Sequence, residues 1–415
     1  NLIRVRFSPT GEFLPRRSWA VTKDDSEWSA VEMILEEKEA AIVLKTQQLT
    51  LSIQRDHCHM IWHDRQGCLI TQTSEPALGW SASGISVRQQ IADEEHFYGF
   101  GERTGFLDKR VEQKTNWTTN ARDFGPLTDE MYQAIPCFIS VRPGLCYGIF
   151  LNSTFWSQFD LGASQPDTWS MQTCAPELDY YLIYGSEPAQ ILTAYTDLTG
   201  RMQLPPKWAL GYHQCRWSYG SEAIVQEVAQ EFRQRRIPCD VIHLDIDYMQ
   251  GYRVFTWSQK RFPNPKQLIS ELKDNGFHTV AIVDPGVKYE READYPVFDQ
   301  GVERDYFIRE ADGNLFYGYV WPEKSVFPDF LRTEVRQWWS QQHAALTDVG
   351  VAGIWNDMNE PALDDRPFGD HGNLISFPLD APQGSAGERT THAEVHNLYG
   401  SNMAQASYEA LHQLR

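Results

Sequence analysis

Two carboxylates, Asp357 and Glu360, stand three residues apart in Gly353-Ile-Trp-Asn-Asp-Met-Asn-Glu-Pro361. The apolar lead-in, 349–355, reads as a short buried strand. Pro361 stops regular structure directly after it. A buried strand that ends in an acid just before a loop points to an active site at the carboxyl end of a sheet or barrel; helix capping is the plainer role for an isolated Asp there. Two other apolar runs, 240–245 and 279–284, end the same way, in Asp245 and Asp284. The candidate reactive groups are thus carboxylates, with aromatics beside them. No His/Cys cluster stands at ligand spacing, so no metal or cofactor is expected. His243, inside the second run, reads as a satisfied core histidine rather than a catalytic one.

The stretch around Asp357 resembles, almost letter for letter, the nucleophile motif of glycoside hydrolase family 31, the α-glucosidase family. Leu244-Asp-Ile-Asp-Tyr-Met249 resembles that family's Asp-Ile-Asp-Tyr-Met motif, and Phe97-Tyr-Gly-Phe-Gly-Glu-Arg103 more weakly its Tyr-Gly-Leu-Gly-Glu signature. The resemblance covers nearly the whole chain and implies a retaining mechanism with Asp357 as nucleophile. Such enzymes place an ionised carboxylate on one face of the sugar and a protonated one on the other, about 5–5.5 Å apart. Glu360 is too near Asp357 in sequence to lie across the bond, so it is read as support for Asp357.

By the same resemblance Asp245 accepts hydrogen bonds from sugar hydroxyls, Ile246 walls the pocket and Asp284 tunes the nucleophile from behind. Asp247 is read as mainly structural, and Trp355 and Met358 are assigned to substrate binding along with their motif. Trp321 matches a pocket Trp, although Glu323 stands where the family has Gly. A loop of the N-terminal domain reaches the sugar in the family; Asn120 or Asp123 occupies that place here, or the segment is an ordinary surface turn. The family's general acid lies in a Trp-Thr-Gly-Asp-Asn motif of the barrel's second half, which is absent from this sequence. The second half, on the same or another chain, is therefore expected to be required. The expected activity is exo-acting release of glucose, with retention, from α-linked oligosaccharides. The alternatives are an α-transglucosidase, an α-glucan lyase or a non-catalytic carbohydrate-binding protein.

These residues need a scaffold. Residues 1–187 alternate apolar and polar over many short runs punctuated by turns, which predicts an N-terminal β-sandwich. Residues 188–207 read as a helical connector. From 208 to 415 the pattern becomes strand–helix–strand, with strands over 209–214, 240–245, 279–284 and 351–357. Helices are predicted over 221–236, 265–275, 334–348 and 392–414. Four such units predict the first half of a (β/α)8 TIM-type barrel with an insertion at about 286–329, after the third strand. A doubly wound sheet is the rival, but no Gly-rich phosphate fingerprint follows the first strand. Closure of a barrel also suggests that Ile242, Leu244, Ala281, Val283 and Ile354 face an interior awaiting further strands.

The 415 residues carry 37 basic and 56 acidic side chains, a formal charge of −19. No basic patch stands out, so nucleic acid and anionic membranes are not expected partners. The apolar runs fall short of a membrane span. Seven Cys are scattered singly, which suggests reduced thiols and a cytoplasmic setting. Asn116-Trp-Thr and Asn152-Ser-Thr match the N-glycosylation pattern.

Overall fold

A computed structural model describes residues 1–14, 18–291, 293–367, 370 and 372–413. They form two compact units, Asn1–Met202 and Gln203–Arg415.

The first unit is a β-sandwich. One sheet orders Leu2–Phe7, Leu178–Gly185, Leu145–Leu151, Cys137–Arg142 and His96–Gly99 side by side. The other has nine strands, of which the first six, from Ile34–Glu37 to Gly84–Gln90, follow one another as a meander. Alternation is why these segments are strands: Met60–Asp64 buries every second residue, the period of a sheet with one covered face. Trp62, Phe97, Phe100, Phe138, Tyr147 and Trp169 are fully buried between the sheets. The helix Pro188–Thr199 buries Ile191 and Leu198 against Cys146, Phe150, Tyr181 and Ile183 of this unit. Asn116 lies on the strand Gln113–Asn116 with 1 % of its surface exposed, so its acceptor pattern is closed to a glycan.

The second unit is built on four parallel strands: β1 (His213–Gln214), β2 (Val241–Leu244), β3 (His278–Val283) and β4 (Gly353–Asn356). They lie in the order of the chain. A doubly wound sheet reverses that order at its crevice; this one does not, and it is part of a (β/α)8 barrel. The helices α1 (Glu222–Gln234), α2 (Pro265–Asp274), α3 (Thr333–Gln342) and α4 (Tyr399–Gln413) alternate with the strands. Ser221 caps α1 by accepting from the Ile224 amide.

Three predicted elements are shorter than expected. Residues Lys207–Leu210 form a 3-10 turn behind Pro206, leaving β1 only two residues. The third helix ends at His343, with a separate short helix, Ala344–Thr347, after it. The last predicted helix opens as His392–Val395 and a 3-10 turn before α4 begins.

After β3 the chain builds a small antiparallel sheet in the order Val287–Lys288, Glu323–Val326, Gly318–Val320, Leu363–Asp364 and Leu374–Ile375. Its last two strands come from beyond β4, so the insertion shares its sheet with the segment that follows the Asp357 loop.

The strand faces differ from expectation. Ile242, Leu244, Ala281 and Val283 are buried together with Val225, Leu268, Leu272 and Val335 of the helices. They face outward, toward a layer already present. The opposite face carries His213, His243, Val280, Ile282, Gly353 and Trp355.

Candidate active site

Each of the three strand-end acids directly follows its strand. Val283 pairs with Asn356, so Asp284 and Asp357 stand level on neighbouring strands, where same-face side chains approach to about 5 Å. Leu244 pairs with Ala281, which sets Asp245 two residues lower on the far side of β3. The structure therefore brings Asp245, Asp284 and Asp357 to one end of one sheet face.

Their environments separate them. Asp284 is 3 % exposed, and its Oδ1 has no hydrogen-bond partner among the described residues. Burial, then the charges of Asp357, Asp245 and Glu360, hold its carboxyl well above the usual range. Asp357 is half-buried; burial raises it and the Met358 amide pulls it back. Of the two, Asp284 is the more deeply buried and is held further above the usual range. Asp245 is raised by burial, with the charges of Asp357 and Asp247 adding, against a hydrogen bond of 2.7 Å from the Ile246 amide. Glu360 is buried and pushed up to about 7 by burial and then by Asp357.

The loops hold these groups in place. Ile246–Tyr248 is a 3-10 turn capped by Asp245. Ile246 is buried in the unit's hydrophobic core, and Tyr248 donates to the Ile282 carbonyl at 2.8 Å. Asp247 is tied to Arg261, as its structural reading requires. Met358 adopts φ +57°, a left-handed conformation uncommon for a side chain of this size, so the chain turns sharply straight after Asp357. Asn359 lies under α4, its Nδ2 at 3.7 Å from Met403 Sδ. A Cβ at Gly400 would sit 3.1 Å from the Asn359 carbonyl oxygen, so glycine there lets helix and loop approach.

The rings of Trp321 and Trp217 lie 5.5 Å apart. Trp217, 72 % exposed in the loop after β1, is not singled out by the sequence reading. Trp355 is half-buried with its ring 5.9 Å from His243. His243 Nε2 lies 3.0 Å from His213 Nδ1, and His213 Nε2 3.2 Å from the Ala209 carbonyl. Burial, then the neighbouring His213, push His243 down to about 4, so it is a neutral, bonded histidine of the barrel face. Asn120 (half-buried) and Asp123 (exposed) belong to the first unit, in the irregular segment after Gln113–Asn116.

The arrangement gathers three carboxylates at one end of one sheet face, with Trp355 on that same face. That suits attack on an electrophilic carbon of a ring with an apolar face.

Comparison with known proteins agrees on both units. The profile described as the glycosyl hydrolases family 31 TIM-barrel domain matches residues 202–415. The glycosyl hydrolase 31 N-terminal galactose mutarotase-like domain matches residues 1–160. Alpha-glucosidase 2 of Bacillus thermoamyloliquefaciens is 41 % identical over all of this chain and 51 % of its own length. An alpha-glucosidase of Saccharolobus solfataricus is 33 % identical over 78 % of this chain and 48 % of its own. A family 31 dextranase of Flavobacterium johnsoniae, complexed with isomaltotriose, superposes with a TM-score of 0.89 at 27 % identity, over 99 % of this chain and 49 % of its own. The chain spans about half the length of the curated relatives it matches.

Proposed function

This chain belongs to glycoside hydrolase family 31, and from that premise we propose that its protein is a retaining, exo-acting α-glucosidase. It releases glucose from the non-reducing ends of α-linked oligosaccharides. The observation that carries the reading is that Asp284 and Asp357 stand level at the carboxyl ends of neighbouring strands, with Asp245 on the same face. Asp357 attacks the anomeric carbon and forms a covalent glycosyl-enzyme, while a general acid protonates the departing oxygen. Water, deprotonated by that same group, then releases the sugar with its original configuration. Asp245 binds sugar hydroxyls through charge-assisted hydrogen bonds, Trp321 offers its ring to the apolar sugar face, and Asn120 or Asp123 reaches the sugar from the N-terminal domain.

The general acid is assigned to the strands that complete the barrel, because every acid of the present site sits on one set of adjacent strands. Two relatives carry the name alpha-glucosidase, which supports hydrolysis of α-glucosides; the likeness to a dextranase makes isomaltose as good a test substrate as maltose. The test is product analysis of both by NMR with the whole natural protein. The first-formed product should be α-glucose. Longer oligosaccharides would mark a transglucosidase, an anhydro sugar a lyase, and β-glucose would overturn retention. All seven cysteines are unpaired, which favours a reducing compartment, and we place the protein in the cytoplasm.

A further inference from the structure

Resting on that reading of Asp357, we propose that His343 and Ser407 are positioning residues for the nucleophile, acting through Asn356. Asn356 is the last residue of β4 and directly precedes Asp357. Its side chain leaves the sheet on the helix side, opposite the acids. There its amide, placed with Oδ1 toward the helix, lies 2.8 Å from Ser407 Oγ on α4. Ser407 Oγ lies 3.1 Å from Nε2 of His343, and His343 Nδ1 2.9 Å from the Trp339 carbonyl of α3. His343 is 0 % and Ser407 3 % exposed. The chain of contacts therefore joins two helices to the strand that presents the nucleophile.

Proton counting gives the chain a direction. A carbonyl only accepts, so His343 Nδ1 carries a hydrogen. A buried neutral imidazole then has a bare Nε2, and burial holds His343 down to about 4. The single proton of Ser407 goes to that Nε2, so Ser407 Oγ must accept from Asn356. The Asn356 amide thus turns its nitrogen toward the helix, and every link is satisfied: Asn356 to Ser407 to His343 to Trp339. This fixes the end of β4 just where the chain turns through Met358. A misplacement of about 1 Å at a reacting atom costs about a hundredfold, so the tether bears on rate more than on binding.

The test uses the whole natural protein and an aryl α-glucoside, with kcat expressed per folded active site. Ser407→Ala and Asn356→Ala should each lower kcat per site about ten- to a hundredfold with KM little changed. The double variant should lose no more than either single one, because both break one chain. Asn356 is half-buried, so its variant serves even where Ser407→Ala fails to fold. An unchanged kcat per site, or losses that multiply in the double variant, overturns the proposal while Asp357 stands. An Asp357→Asn variant as active as the parent overturns the reading of Asp357 and this inference with it.

Discussion

The carboxylates differ by environment rather than by type, so their roles are testable one at a time. Asp357→Asn keeps the shape and removes the charge; turnover should fall by several orders of magnitude while the melting temperature holds. Near-normal hydrolysis of an aryl α-glucoside would remove Asp357 from the mechanism. Asp245→Ala should weaken a glucose-like inhibitor about ten- to a hundredfold, the worth of one charge-assisted hydrogen bond, as titration calorimetry would read. Glu360 gives a pH signature. Its folded value of about 7 lies above the ordinary 4.5, so the folded state keeps a proton that the unfolded chain has lost between those values. The stability it contributes is full below about 4.5 and disappears as pH rises through about 7; Glu360→Gln should flatten that slope by roughly 3 kcal/mol, measured by urea unfolding across the range. The acids were legible in the sequence because a charged residue at the end of an apolar strand is conspicuous. Trp217 was not singled out, because its ring contact with Trp321 joins distant parts of the chain. The Ser407 contact to Asn356 spans 51 residues, and no local pattern encodes it.

At the scale of elements, Glu323 tests how the Trp321 loop is held. It occupies the position where the resemblance has Gly and adopts φ +73°. The left-handed conformation costs an ordinary residue about 1–2 kcal/mol, and glycine gives back roughly 0.5–1 kcal/mol as extra freedom of the unfolded chain. Glu323→Gly should therefore stabilise the fold by roughly 0.5–1 kcal/mol, seen as a higher urea midpoint; a lower one would mean that the Glu323 side chain is needed. Sandwich strands such as Leu49–Gln54 were legible from their period of two. β2 and β3 were legible as strands but not by face: strands of a parallel sheet covered on both sides read as unbroken apolar runs. Ile242 and Leu244 were thus set on the interior when the helices cover them. The acids were the better guide, since Asp245 and His243 share a face by alternation alone. The break before α4 escaped the periodicity because it rests on distant partners, with His392 Nδ1 at 2.7 Å from Gln383 Oε1.

At the scale of the whole molecule, four parallel strands in chain order make half of the eight that a closed (β/α)8 barrel needs. With Ile242, Leu244, Ala281 and Val283 already under helices, the uncovered face is the one bearing His213, His243, Trp355 and the acids. On the proposed retaining mechanism, a proton donor is needed on the far side of the scissile bond. The proposal gives that role neither to Asp284, which stands level with Asp357 on the neighbouring strand, nor to any acid on Asp357's own loop. Without a donor the leaving oxygen departs as an anion, and general acid catalysis typically contributes about 10²–10⁴-fold. A polypeptide of residues 1–415 should accordingly hydrolyse maltose and isomaltose at least about a hundredfold more slowly than the whole natural protein. Supplying the remaining barrel strands as a second polypeptide should restore turnover. The measurement is glucose release at equal concentrations of folded protein. A polypeptide 1–415 that matched the whole protein would put the general acid among the carboxylates described here and overturn the division of labour between the two halves of the barrel.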